Sequence, residues 1–225
     1  MPKGEILELC GVVLSARPSR DYDKCLTLLT KELGKISVWA SGAKKPGSPL
    51  MAACRPFVFG SFQLAKGRSG YNLRSASIAR YFTEIALDLT NACYGSYFLE
   101  FSDYCAQEGL PSEEMVSLLY LSLCALLKEN IPNELVRRIF ELRMLFLNGE
   151  YTELPPGHGG KGCEMAWRHV LDSPLQKLYT FLLSPEQFRE FSENVDALLL
   201  ETIPKHFKSL AVLETIRCGE QIRDK

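Results

Sequence analysis

The sequence predicts an α+β chain in which a five-stranded barrel is followed by an all-helical body. Three observations carry this. Short runs rich in Val, Ile, Leu, Phe and Thr, broken by turn residues, fill the first third of the chain. From about residue 84 the apolar spacing changes to the helical period. The charge changes with it: residues 1–80 hold 13 Lys and Arg against 5 Asp and Glu, a net of +8, while residues 81–225 hold 13 against 22, a net of −9. Both are hidden inside an overall −1. The expected organisation is therefore a basic domain over 1–80 and an acidic helical domain over 81–225.

The strands are expected at Ile6–Ser15, Cys25–Thr30, Ile36–Ser41, Pro56–Ala65 and Tyr71–Ile78. Between them lie Arg17-Pro18-Ser19-Arg20-Asp21, Lys31-Glu32-Leu33-Gly34, Lys44-Lys45-Pro46-Gly47-Ser48 and Lys66-Gly67-Arg68-Ser69-Gly70, all turn-forming. Five strands in this length match an OB barrel, whose strand face and loops bind single-stranded nucleic acid; the same count fits an SH3-like barrel.

The first helix is marked by Tyr94, Tyr97, Phe98, Phe101, Tyr104 and Cys105 on one face, with Gly109 and Pro111 ending it. A second is expected over Glu113–Glu129, capped by Ser112, with two acids where the helix dipole favours them. Asn130-Ile131-Pro132-Asn133 stops it. A third, Glu134–Leu147, places Leu135, Ile139, Leu142 and Phe146 on its buried face, and Asn148-Gly149 supplies a left-handed exit. Ser173-Pro174-Leu175-Gln176 and Ser184-Pro185-Glu186-Gln187 each read as a cap, Pro at the first helical position and Gln three residues past the cap. Phe188, Phe191, Val195, Leu198 and Leu199 line the longer helix, Pro204 breaks it, and Leu210, Leu213 and Ile216 mark a short last one.

With 46% hydrophobic residues the chain can bury a core, and disorder is not expected. The start Met1-Pro2-Lys3-Gly4-Glu5 lacks a secretory pattern and no apolar run is long enough to span a bilayer, so a soluble cytoplasmic protein is expected. Eight cysteines stand at 10, 25, 54, 93, 105, 124, 163 and 218 with no Cys-x-x-Cys, which removes the zinc-ribbon and redox signatures. Cys10, Cys25, Cys93, Cys105 and Cys124 lie among apolar neighbours and read as reduced, packed residues.

Several stretches resemble the bacterial recombination mediator and DNA repair family RecO. They include Gly11-Val12-Val13-Leu14-Ser15, Tyr22-Asp23-Lys24 leading to Leu28-Leu29-Thr30, and Leu33-Gly34-Lys35-Ile36 followed by Gly42-Ala43-Lys44-Lys45. Pro56-Phe57, Leu73-Arg74-Ser75-Ala76, Arg137-Arg138-Ile139-Phe140-Glu141-Leu142 and His206-Phe207-Lys208-Ser209-Leu210 continue the series. Their order and spacing, more than any one of them, make the resemblance specific. It implies an N-terminal OB fold that binds single- and double-stranded DNA, a helical C-terminal domain, and a nucleoid-associated mediator without bond-making chemistry. Such a mediator works with RecR to help RecA displace single-stranded-DNA-binding protein, and it anneals complementary strands.

The family often carries a four-cysteine zinc ribbon, and the sequence departs from that pattern. The matching stretch, about 151–170, retains only Cys163; His158 and His169 bring the donors to three where a closed site needs four. A glycine-rich loop without metal, and no cofactor, is the expectation.

For the DNA surface the candidates are Arg17, Arg20, Lys24, Lys35, Lys44, Lys45, Arg55 and Arg74, because phosphates are neutralised by Lys and Arg with little regard to base. The bland alternative is that these side chains solvate barrel loops, which the excess of eight charges argues against for the set. Trp39, Phe57, Phe59, Phe62 and Tyr71 are available to stack bases, but the barrel core is the expected home of most, with Phe57 and Phe59 on one face. The resemblance also implies docking of the acidic, Phe-terminated tail of single-stranded-DNA-binding protein on the helical domain. That needs an apolar pocket with a cation at its mouth: Arg138 first, with Arg137 and Arg143 nearby, unless Arg138 is simply paired with Glu134 or Glu141.

Catalysis is not expected. Glu113-Glu114 opens a helix and Asp21-x-Asp23 sits in a turn, and there is no nucleophile motif, phosphate loop or His-Glu-x-x-His. The nearer rival is an OB-helical adaptor that binds protein alone.

Overall fold

A computed structural model describes residues 6–67, 70–157 and 159–223. Five strands come first: β1 (Ile6–Ser19), β2 (Asp23–Thr30), β3 (Gly34–Ala40), then after a one-turn helix α1 (Leu50–Ala53), β4 (Phe59–Lys66) and β5 (Tyr71–Arg80). They close into a barrel in the order β1-β2-β3-β5-β4, the OB arrangement, with only the β3–β5 contact parallel. β1 is long because it serves two partners. Its first half pairs with β4 (Ile6 to Val12) and its second with β2, and the register shift between Val13 and Ser15 bends it from one to the other.

Alternation along the strands builds the interior. In β3, Ile36, Val38 and Ala40 are buried while Lys35, Ser37 and Trp39 face out. Leu26, Leu28, Phe62 and Leu64 complete the same core. Full burial of each such side chain contributes about 1.5–3 kcal/mol.

The helices are α2 (Thr83–Leu87), α3 (Leu89–Cys105), α4 (Glu113–Ala125), α5 (Asn133–Leu147), α6 (Lys161–Asp172), α7 (Pro185–Thr202) and α8 (Lys208–Arg223). The α+β class and the barrel-then-helices order therefore hold. Where the sequence suggests one boundary near residue 80, the chain forms two compact units that interleave: 1–84 with 99–120, and 85–98 with 121–225. In the first unit, Gly34 explains how residues 99–120 lie against the barrel. Its φ is +62°, and a Cβ there would fall 2.2 Å from the Gln107 carbonyl oxygen. An isolated bridge joins Gly34 to Glu108, and Lys31 pairs with Glu113 at 3.1 Å. Phe59 and Phe82 both pack on Tyr120, with centroids 4.7 and 5.4 Å away.

The second unit is held by Trp167, Phe98, Phe140 and Phe191, all fully buried. Three local expectations fail here or beside it. Ser112 does not cap α4: its hydroxyl donates to the Leu110 carbonyl instead. Ser173-Pro174 starts no α-helix but a single 3-10 turn, Leu175–Lys177, with Pro174 at its N-cap and the Ser173 hydroxyl bonded to His169 Nδ1. The presumed glycine-rich loop over 151–170 is helical from Lys161, where Ala166, Trp167 and Val170 bury a face. By contrast Ser184 caps α7 as expected, its Oγ accepting from Gln187 N–H while the Gln187 side chain accepts from Ser184 N–H at 3.0 Å.

Of the cysteines, Cys93 and Cys105 are buried and Cys10, Cys25 and Cys124 half-buried, all as free thiols. No helix among the described residues is long and apolar enough to cross a membrane.

Candidate nucleic-acid interface

The turn between β1 and β2 and the loop after β3 are stitched together at one end of the barrel. The Gly42 N–H donates to Asp23 Oδ1 at 2.8 Å, and the Lys44 N–H donates to the Tyr22 carbonyl at 2.9 Å. Gly42 meets this geometry with a φ of +70°. The result is a shallow concave surface lined by Arg20, Tyr22, Asp23, Gly42 and Lys45, with the Lys45 ammonium 5.8 Å from the Tyr22 ring centroid. Arg20, Lys44 and Lys45 are exposed there. Residues 22 sequence positions apart thus share one rim, with Asp23 acting as its anchor.

The other predicted cations divide. Arg17 is exposed near the end of β1, on the outer face leading to this rim. Arg74 is exposed on β5, in the register shift where Leu73 faces Leu64 and Ser75 faces Gln63, so it has no partner residue on β4. Arg55 is exposed after α1. Lys24 lies on the inward-facing row of β2 and donates to the Cys54 carbonyl at 2.7 Å, closing the barrel end. Lys35 is paired with Asp103 at 3.4 Å and also donates to its carbonyl. Both are committed inside the first unit; Arg17, Arg20, Lys44, Lys45, Arg55 and Arg74 form no ion pair among the described residues.

The aromatic residues separate as sharply. Phe62 is core, Phe59 is packed on Tyr120, and Tyr71 packs against the barrel interior. Phe57 precedes β4 with a φ of 70°, so it does not share a strand face with Phe59. Trp39 alone of the five is on the outer face, 38% exposed. The signal was in the sequence: flanked by Val38 and Ala40, it must point opposite to them.

In the second unit a buried carboxylate organises the arginines. Glu141 is fully buried and accepts from Tyr97 Oη at 2.6 Å, Arg137 Nε at 2.7 Å and Arg138 Nη1 at 3.0 Å. Burial pushes its carboxyl pKa up, but Arg137, Arg138 and the Tyr97 hydroxyl outweigh that and hold it below the ordinary range. Arg138 also binds Asp196 at 2.6 Å. Arg143 is buried, donating to the Val170 and Leu171 carbonyls. Neither Arg138 nor Arg143 lines the cleft beside this network. Arg137 does, in a cavity of about 340 Å³ whose apolar wall includes Tyr97, Leu199, Ile203, Phe207 and Leu210, with Lys205, Asp196 and Glu214 also lining it. The ring of Phe207 meets Tyr97 edge-on at 5.3 Å.

The described donors of the 151–170 stretch do not suit zinc. Cys163 is buried beside Asn194 Nδ2, its thiol pushed up to about 11 by burial and then by Glu190 and Glu164. His169, six residues on, bonds Ser173 and the Lys177 carbonyl. His158 lies outside the described residues. No group of three metal-ligating side chains comes together among the described residues.

A closed OB barrel with a basic rim, followed by a helical unit, defines a two-part class of protein in which a small β module precedes a larger α one. The comparisons make the assignment specific: the profile described as Recombination protein O N terminal matches residues 6–82, and that of the Recombination protein O C terminal matches 86–155. The chain belongs to the RecO family. It is similar to DNA repair protein RecO of Alkaliphilus metalliredigens, 34% identical over 65% of this chain and 58% of that one. It is also similar to that of Clostridium kluyveri, 31% over 64% and 56%. The chain spans less than two thirds of the length of these curated relatives. With DNA repair protein RecO of Clostridium perfringens the match is 27% identical and covers 94% of this chain and 99% of that one.

Proposed function

We propose that this protein is a DNA-binding recombination mediator that makes and breaks no covalent bonds. It holds DNA strands, promotes their annealing and, with RecR, helps load RecA onto strands coated by single-stranded-DNA-binding protein, in the cytoplasm at the nucleoid. The observation that carries the reading is the convergence of Arg20, Lys44 and Lys45 on one exposed rim, through bonds that use Asp23 as scaffold. Loops at this position of an OB barrel follow a nucleic-acid backbone. Arg17 and Arg74 extend the positive surface. Lys24 and Lys35, already partnered, contribute field more than contact.

The apolar cleft beside Arg137 suits the acidic, Phe-terminated tail of single-stranded-DNA-binding protein: rings and aliphatic groups for the phenyl side chain, Arg137 and Lys205 for its carboxylates. Arg137 thus takes the role that the sequence suggests first for Arg138. The reading needs no metal.

The test is fluorescence anisotropy of a labelled single strand at three salt concentrations, with the unsubstituted chain and with Lys44→Ala/Lys45→Ala. Affinity should fall log-linearly with salt, and the double variant should lower the slope by about 1.4, two phosphates at ~0.7 each. Absence of binding at low salt removes the reading and leaves an adaptor that binds protein alone.

A further inference from the structure

Trp39 lies on the outer face of the barrel, 38% exposed. Strand pairing sets Arg17, Cys25, Trp39 and Asn72 in one lateral row across β1, β2, β3 and β5, all on the outer face. The neighbouring row on that face is Ser15, Thr27 and Ser37, with Ser15 and Thr27 joined hydroxyl to hydroxyl at 3.0 Å. Beneath the ring, Leu26 and Val38 are fully buried and already packed. The indole is therefore the one large ring in these two rows, which also carry Cys25, Asn72 and short hydroxyl side chains.

Its electrostatic setting is positive. Arg17 lies two strands away, about 10 Å between backbones at the usual strand spacing. Two residues beyond Trp39, β3 enters the loop bearing Lys44 and Lys45. An exposed indole face beside cations suits a group that is flat, apolar on its face and attached to negative charge. Tyr22, the other exposed ring of this rim, already has the Lys45 ammonium near its face.

We infer that Trp39 is a base-stacking residue: the strand face of the barrel receives an unpaired nucleobase on the indole while Arg17 takes the adjoining phosphate, which gives the protein a preference for single-stranded over duplex nucleic acid. This deepens the DNA-binding reading above and rests on it. Duplex DNA keeps its base faces inside the stack, so it can use the cations of the rim but not the ring. Stacking is indifferent to base identity, which suits a protein that must act on any sequence.

The chain supplies its own probe, because it has two tryptophans and Trp167 is fully buried in the second unit. Intrinsic emission and anisotropy are followed together as labelled oligo-dT, and then a duplex, is added to the full chain. Trp39 emission should be quenched with the same midpoint as the anisotropy rise for oligo-dT, and not for the duplex. Trp39→Ala should weaken oligo-dT binding between about 5- and 100-fold at an unchanged salt slope, leave duplex affinity alone and keep the thermal midpoint; Trp39→Phe should recover much of the loss. Anisotropic binding with no quenching, or with Trp39→Ala equal to the unsubstituted chain, overturns the stacking role while leaving DNA binding in place. A change of oligomeric state in Trp39→Ala at unaltered DNA affinity overturns it in favour of a protein-docking face. No anisotropy change with any DNA overturns this inference and the reading beneath it.

Discussion

Glu141 shows how one side chain decides what its neighbours can do. A carboxylate with no exposure survives only because three donors meet it, and the same contacts fix Arg137 and Arg138. Removing it takes the carboxylate from Arg137 and leaves Arg138 with Asp196 alone, so Glu141→Ala should lower stability by about 3–5 kcal/mol in chemical denaturation, with Glu141→Gln between that and the unsubstituted chain. The pH dependence has a definite sign. The folded carboxyl titrates below its ordinary value of 4.5, so its stabilisation is fully present above that value. It is lost as pH falls below 4.5 and through the lower folded pKa. The acid limb of the stability curve should therefore be steeper in the unsubstituted chain than in Glu141→Gln. The Arg-Arg-Ile-Phe-Glu run pointed to this place, but an i, i+3 or i, i+4 pair looks identical in sequence whether exposed or buried. Only the packing of Tyr97 and Asp196 from other helices tells Arg138, which is enclosed, from Arg137, which reaches the cleft.

Elements were legible where their signals are local. The five strands are set by period-2 alternation, and Ser184-Pro185-Glu186-Gln187 forms the capping box its residues spell out. Ser184→Ala should cost about 1 kcal/mol, measured by thermal or urea unfolding, and Ser184→Asp should restore much of it. Ser173-Pro174-Leu175-Gln176 has the same spelling and gives only a 3-10 turn of three residues, with the Ser173 hydroxyl turned to His169. The assignment of residues 99–120 to the barrel's compact unit is not local in the same way: Gly34's fit against Gln107 and Leu110 joins residues more than 70 apart. α6 was hidden by the glycines before it. There the Asn194 side chain accepts from Gly157 N–H at 2.6 Å and donates to the Glu190 carbonyl at 2.8 Å, and Gly160 N–H donates to Glu190 Oε2 at 2.9 Å. These hydrogen bonds tie the stretch to α7. Zinc and a strong chelator should each leave the thermal midpoint within 1 °C or so, whereas Asn194→Ala should lower it by several degrees, the expected cost of losing two part-buried hydrogen bonds from a buried side chain. A zinc-dependent rise would put a fourth ligand back into the stretch.

At the scale of the molecule, the charge split is the feature that sequence exposed and structure made specific. Of the eight candidate cations in residues 1–80, six form no ion pair among the described residues and two are spent internally. The acidic remainder contains a cleft where two cations, Arg137 and Lys205, stand beside two carboxylates, Asp196 and Glu214. Two ligands of like charge, a DNA backbone and an acidic peptide tail, would compete if the chain offered one diffuse positive field. They would bind independently if each is read by its own contacts. The rim and the cleft share no side chain, so substitutions in one should add to those in the other within about 0.5 kcal/mol. Arg137→Ala should weaken a synthetic Phe-terminated acidic peptide by roughly 10-fold or more, as expected for a desolvated charge-assisted contact, and leave the DNA salt slope intact. Lys44→Ala/Lys45→Ala should flatten the slope and leave the peptide dissociation constant unchanged. Titration calorimetry for the peptide and anisotropy for DNA, run on both variants and their combination, measure all four terms. A peptide affinity that falls in the barrel double variant would mean that the tail reaches the rim, and that the molecule exchanges one anion for the other at a common surface.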